Sequence, residues 1–260
     1  MKTGWSFVTN YTWSHAIDNL SSTFSDSNFN YNTGLLDPFN PALDSGSADF
    51  DIRHRFVFAG DWKLPWFEKS SNGFAKYVLG GWELAPILNA STGTPFTLFD
   101  CTYGYYYCAR AQTTGSSSKL DRGMSVGTNE YQYLSVPIVN ADNTYFNPMT
   151  GLSEIGDCTV PGQGASGPCP WPANMLGRNT FRMPNNWGMD LGLYKNIAVT
   201  ERVKMQFRFE TYNTFNHPNN YVDSGTIDVS SSVDPSGNNG LVYVKKYDKR
   251  DVQLALRITF

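Results

Sequence analysis

The chain has 260 residues, 17% of them charged and 40% hydrophobic, and its 20 Lys and Arg against 23 Asp and Glu leave a formal net charge of -3. That balance excludes a disordered chain, and with Lys245-Lys246 and Lys249-Arg250 as the nearest thing to a basic patch, read as a solvated loop flank beside a strand, it argues against nucleic acid as a partner. No run approaches the roughly 20 consecutive apolar residues of a spanning helix, yet aromatics reach 15%, the residue type that collects where membrane meets water.

Met1-Lys2-Thr3-Gly4 runs straight into alternating residues with no apolar signal stretch, so the chain is expected to be the downstream portion of a longer exported protein. Successive side chains of a strand point to opposite sides. The first alternating segment sets Trp5, Phe7, Tyr11 and Trp13 against Ser6, Asn10, Thr12 and Ser14. After a long link, 15–52, the second sets Phe56, Phe58, Trp62 and Leu64 against Arg55, Asp61 and Lys63. A short link, 65–79, leads to the third, with Trp82, Leu84, Pro86 and Leu88 opposite Glu83, Ala85, Ile87 and Asn89; Pro86 suggests a bulge or bend.

Link 99–185 is long, and the fourth segment behind it sets Trp187, Met189, Leu191 and Leu193 against Asp190 and Tyr194. A short turn, 196–201, precedes the fifth, which sets Val203, Met205, Phe207, Phe209 and Phe215 against Lys204, Gln206, Arg208, Glu210 and Tyr212. The long link 217–249 follows. The sixth segment alternates Val252, Leu254, Leu256, Ile258 and Phe260 with Gln253, Arg257 and Thr259 to the chain's end.

Segments of about 9 to 15 residues suit a tilted crossing of a bilayer. In lipid, strands satisfy their backbone only in a closed barrel. The expected fold is all-β: an antiparallel transmembrane β-barrel segment of about six strands, with 15–52, 99–185 and 217–249 as extracellular loops and short periplasmic turns. Trp5, Phe7, Phe56, Phe58, Trp62, Leu191, Leu193, Phe207, Phe209, Leu254, Leu256 and Ile258 are expected to face lipid. Asp61, Lys63, Glu83, Asp190, Lys204, Arg208, Glu210 and Arg257 are expected to face the lumen, because a charge on the exterior near mid-bilayer costs about 2 to 4 kcal/mol.

Four cysteines permit three connectivities. Their short separations favour Cys101 with Cys108 and Cys158 with Cys169, bridges that would staple a loop in an oxidising compartment. The spacing is wrong for zinc, and His15, His54 and His217 have no partner at ligand distance in the sequence, so neither a metal nor a cofactor is expected. The carboxylates are dispersed over several strands, and no Gly-x-Ser-x-Gly elbow is present, so no catalytic residues are assigned and the chain is not read as an enzyme. Asp26-Ser27-Asn28 and Asp234-Pro235-Ser236-Gly237-Asn238 read as turns. Tyr103, Tyr105, Tyr106 and Tyr107, between two cysteines, form the candidate ligand-contact loop.

A set of strings in order, Asp51-Ile52-Arg53-His54-Arg55-Phe56, Gly80-Gly81-Trp82, Thr92-Gly93-Thr94-Pro95-Phe96, Gly177-Arg178-Asn179-Thr180, Thr200-Glu201-Arg202 and Glu210-Thr211-Tyr212-Asn213-Thr214-Phe215-Asn216-His217-Pro218-Asn219, covers nearly the whole chain. Together with Asp190-Leu191, Lys195-Asn196 and the terminal Phe260 it resembles the carboxyl-terminal part of Oar-like TonB-dependent outer-membrane receptors. The resemblance implies a barrel of about 22 strands with a plugged lumen, of which residues 1–260 supply the last portion, located in the bacterial outer membrane. Its implied partners are outer-membrane lipid, the rest of the barrel and its plug, the barrel-assembly machinery that reads Phe260, and TonB through an amino-terminal region. The implied function is import of a bulky nutrient. The competing reading is a secreted, soluble, β-rich carbohydrate-binding or adhesion module, for which loop aromatics and disulfides are equally natural.

Overall fold

The computed structural model describes residues 4–21, 35, 40–67, 69–101, 109–114, 119–120, 129–138, 174–229, 231–234, 237 and 239–260. Each of the six alternating segments is a strand: β1 (Gly4–Trp13), β2 (His54–Lys63), β3 (Trp82–Ser91), β4 (Asn186–Ala198), β5 (Lys204–Tyr212) and β6 (Asp251–Thr259). They form one antiparallel sheet in chain order, with β1 and β6 as edges that do not pair with each other, so the sheet is open. Phe215 does not extend β5. Asn213 and Asn216 take left-handed backbone, φ 50° and 51°, which turns the chain after Tyr212 and sends the Phe215 ring against Trp187, 6.1 Å between centroids.

Directly paired residues point to the same side of a sheet. Trp5 opposes Trp62 and Thr9 opposes Phe58; Phe58 then opposes Leu88, and Leu88 opposes Met189. Leu193 opposes Phe209, which opposes Leu254. Followed across all five pairings, this register puts the twelve apolar residues singled out above on one side and the eight charged ones on the other. None of the buried apolar residues among those described belongs to the six strands, and the apolar side stays bare, with Leu254 76% and Trp5 69% exposed.

Both short links leave from the same end of the sheet, where Lys63 opposes Glu83 and Lys204 opposes Thr259. The Gly80-Gly81 pair is explained there. Gly81 has φ +73° and approaches β4 so closely that a Cβ would lie 2.4 Å from the Asn196 carbonyl oxygen, while the Asn196 N–H donates to Gly81 O at 2.8 Å. Lys195 is a charge on the apolar side that the sequence reading did not place. Its Nζ donates to Val78 O at 3.1 Å and to Gly80 O, carbonyls at the end of the helical turn Ala75–Leu79, and sits 5.1 Å from the Trp82 ring centroid. The ammonium is thereby solvated by the backbone at the sheet's margin.

The largest departure from expectation concerns the three long links, which sequence periodicity left as loops. Together with residues 92–98 they contain, among the described residues, a second sheet, ordered Asn219–Val222, Asn239–Tyr247, Glu130–Pro137, Lys119–Leu120, and three two-residue pairings, among them Pro95–Phe96 with Phe181–Arg182. Here lies the core. Phe96, Leu98, Val136, Val222, Ile227 and Val242 are all nearly inaccessible and pack in one cluster. At about 0.8 kcal/mol per buried methylene, such burial gives the link region its own source of stability. Among the described residues the six strands have no protein core.

Candidate functional site

The link region meets the sheet at the end opposite the short links, where the Trp187 N–H donates to Asn219 Oδ1 at 3.0 Å, and arginines join link 99–185 to link 15–52. Gly177-Arg178-Asn179-Thr180 is a turn with Asn179 at φ 54°. Arg178 Nη1 donates to Asp18 Oδ1 at 2.5 Å and its Nη2 to Ser21 Oγ at 2.6 Å and Asp49 Oδ1 at 3.0 Å. Asn179 Nδ2 donates to Ser47 O and Asp49 Oδ1, both at 2.7 Å. Nearby, Asp51 accepts from the Ala16 N–H at 2.9 Å, from Arg53 Nε at 2.9 Å and from Arg182 Nη2, while Arg182 Nη1 donates to Gly93 O at 3.1 Å. Gly93 lies so close to this second strand pair that a Cβ would fall 2.0 Å from Met183 O. These contacts show why strings far apart in the chain carry Arg, Asp and Gly.

Burial alone would raise the Asp51 carboxyl above its ordinary 3.8, but the Ala16 amide, Arg182 and Arg53 prevail and hold it down to about 2. A carboxyl depressed on folding contributes stability above its unfolded value and loses it as pH falls through the folded one. The contribution, about 2 kcal/mol, is therefore present above pH 3.8 and lost between 3.8 and 2. Asp51→Asn is expected to lower the melting temperature at pH 6 and to flatten its dependence on pH between 4 and 2; an acid slope as steep as that of the parent chain would contradict this origin.

On the charged side of the sheet, Tyr194 OH donates to Glu210 Oε1 at 3.1 Å, and the Arg208 guanidinium lies 4.8 Å from the Tyr194 ring centroid. The ring crosses Gly192, where a Cβ would be 2.5 Å from the hydroxyl. Asn196 Nδ2 donates to Glu83 Oε2 at 3.2 Å, Gln206 Nε2 to Asn196 Oδ1 at 2.9 Å, and the Asn213 N–H to Asp190 Oδ1 at 2.9 Å. These rungs bind neighbouring strands.

The histidines stay apart. His15 Nε2 contacts Arg53 Nη2 at 2.8 Å, His54 Nδ1 contacts Tyr11 OH at 2.8 Å, and His217 stacks on Trp187 at 4.2 Å. Among the described residues no group of three or more potential ligands gathers around a point. Cys101 is not a free thiol. Cys108, Cys158 and Cys169 lie outside the described residues, as do Tyr103, Tyr105, Tyr106 and Tyr107, so neither the pairing nor the aromatic loop is placed.

A cleft of about 540 Å³ lies between the second sheet and the start of β4. Its walls are Tyr131, Tyr133 and Val244 from the link sheet, Trp187, Pro184 and Asn185 from the approach to β4, and His217, Pro218 and Asn220 beyond β5, with Gln132 and Lys246 alongside. Lys246 Nζ sits 4.5 Å from the Tyr131 ring centroid. Sequence reasoning assigned none of these to a binding site: it placed Trp187 on a strand face, His217 and Pro218 beyond a strand, and Lys246 in a solvated loop flank. The signal available was the alternation Tyr131-Gln132-Tyr133 against Val242-Tyr243-Val244, two short runs more than a hundred residues apart.

Comparison with protein families decides what the open sheet belongs to. Residues 1–253 match the family model described as an outer membrane beta barrel domain. The chain belongs to that family. The barrel domain is accordingly a protein of the bacterial outer membrane, associated with its lipid. No curated protein and no solved structure matches it.

Proposed function

We propose that the barrel domain is the carboxyl-terminal wall and outer region of an Oar-like TonB-dependent receptor that imports a bulky nutrient and performs no catalysis. The observation that carries this reading is the sheet with two unlike sides and no core of its own: Trp5, Phe58, Phe209 and Leu254 bare on one side, the Glu210, Arg208 and Glu83 rungs on the other. In this reading the apolar side faces lipid and the charged side faces a lumen or plug. The folded link region stands outside the cell, with bridges between Cys101 and Cys108 and between Cys158 and Cys169 in its longest link. The edges of β1 and β6, unpaired as they stand, continue into further strands of a larger barrel. Phe260, 96% exposed beyond β6, is read by the assembly machinery.

A soluble secreted module would leave Phe209 and Leu254 in water with nothing to cover them, and the sheet supplies no second layer. The test is uptake. Cells carrying the full-length gene are expected to accumulate a nutrient that cells with the TonB box deleted do not, while both display the protein in the outer membrane. Equal uptake from the two strains would leave a barrel that adheres or stabilises the envelope but does not transport.

A further inference from the structure

We propose that the cleft between the link sheet and the head of β4 is a binding site for an acidic saccharide, a reading that rests on this region lying outside the cell. Three polar groups line it. Gln132 is only 5% exposed. Asn220 Oδ1 is buried and unpaired. Lys246 Nζ has the Tyr131 ring beside it and no carboxylate, unlike its neighbour Lys245, which is held by Glu130 at 3.0 Å and Asp223 at 2.7 Å. Buried polar groups in proteins are nearly always satisfied, so the Asn220 acceptor points to an occupant that donates to it, in a cleft that also presents the exposed Lys246 cation and aromatic walls.

The lining chooses the chemistry of that occupant. Amides both donate and accept, as the hydroxyls of a sugar require. Trp187, Tyr131 and the two prolines offer flat apolar surfaces for the C–H faces of a sugar ring. Lys246 supplies a cation, and no carboxylate lines the cleft, so a carboxylated sugar such as a uronate is favoured over a neutral one and a basic ligand is repelled. A peptide is the weaker fit. Peptides are commonly taken up by adding a strand to a free sheet edge, and the strands at the floor, Glu130–Pro137 and Asn239–Tyr247, are already paired to each other from Glu130 with Lys245 to Pro137 with Asn239.

The experiment is isothermal titration of the full-length protein in detergent with trigalacturonate, a mannuronate trisaccharide, maltotriose and a tripeptide. At least one acidic trisaccharide is expected to bind, and to bind more tightly than maltotriose. Lys246→Gln is expected to weaken the acidic ligand roughly tenfold and to erase its advantage, and Gln132→Leu is expected to weaken acidic and neutral sugars alike. Heat-modifiable migration shows that each variant is folded. Absence of binding by both acidic sugars, binding unaffected by Lys246→Gln and Gln132→Leu, or preferential binding of the tripeptide each overturns the proposal. The receptor reading fails separately: binding that survives in a protein whose uptake is independent of TonB keeps the cleft and removes the transporter.

Discussion

Phe209→Lys is expected to cut the yield of folded, heat-modifiable protein in the outer membrane at least tenfold, whereas Gln206→Lys is expected to leave that yield near the parent's. Phe209 stands mid-strand, with Leu193 across one pairing and Leu254 across the other. A lysine there has no partner and meets hydrocarbon, at a cost of about 2 to 4 kcal/mol at mid-bilayer; each 1.4 kcal/mol is a factor of ten in an equilibrium. Gln206 is paired with Asn196 and Arg257 on the opposite side, where it already donates to Asn196. A lysine in its place joins a hydrated, polar surface. Lys195 shows what a tolerated cation on the apolar side requires: a position at the sheet's end and two carbonyls that accept from its ammonium. Phe209 has neither. Equal amounts of folded protein from the two variants would reverse the assignment of sides on which the receptor proposal depends.

The wall was legible because its signal is local. Along β5, Met205, Phe207 and Phe209 alternate with Lys204, Gln206, Arg208 and Glu210, and no other part of the molecule has to be known to read a strand from that run. Phe215 misled because aromatic character continued after the backbone had turned at Asn213. The link sheet was illegible for the opposite reason. Its central strand is broken by a register shift between Gln132 and Leu134, which spoils the two-residue period, and its partner lies more than a hundred residues away. Short apolar runs inside stretches rich in Gly, Ser and Pro resemble loops until that partner is found. The cleft inherits the same difficulty, since Tyr131, Trp187, His217 and Lys246 come from four separated stretches that only the folded chain brings together.

Arg178 is expected to show that the join between links 15–52 and 99–185 is a distinct cooperative unit. Its guanidinium reaches Asp18, Ser21 and Asp49 at once, residues up to 160 positions away, and is only 12% exposed, with its acidic partners 28% and 39% exposed. The expected loss for Arg178→Met is about 2 to 3 kcal/mol, between the figure of about 1 for an exposed pair and that of about 3 to 5 for breaking a fully buried one. Arg178→Lys is expected to rescue little, because a single ammonium does not reproduce a planar fork shared by two carboxylates and a hydroxyl. The loss should fall on the links alone. The wall strands pair with one another through their own backbone, so both variants are expected to keep heat-modifiable migration while protease added to intact cells cuts within the long links of the variants and spares those of the parent. If Arg178→Lys resisted protease as the parent does, the guanidinium would be one ion pair among many, and the cohesion of the link region would rest instead on the apolar cluster around Phe96, Leu98 and Val242.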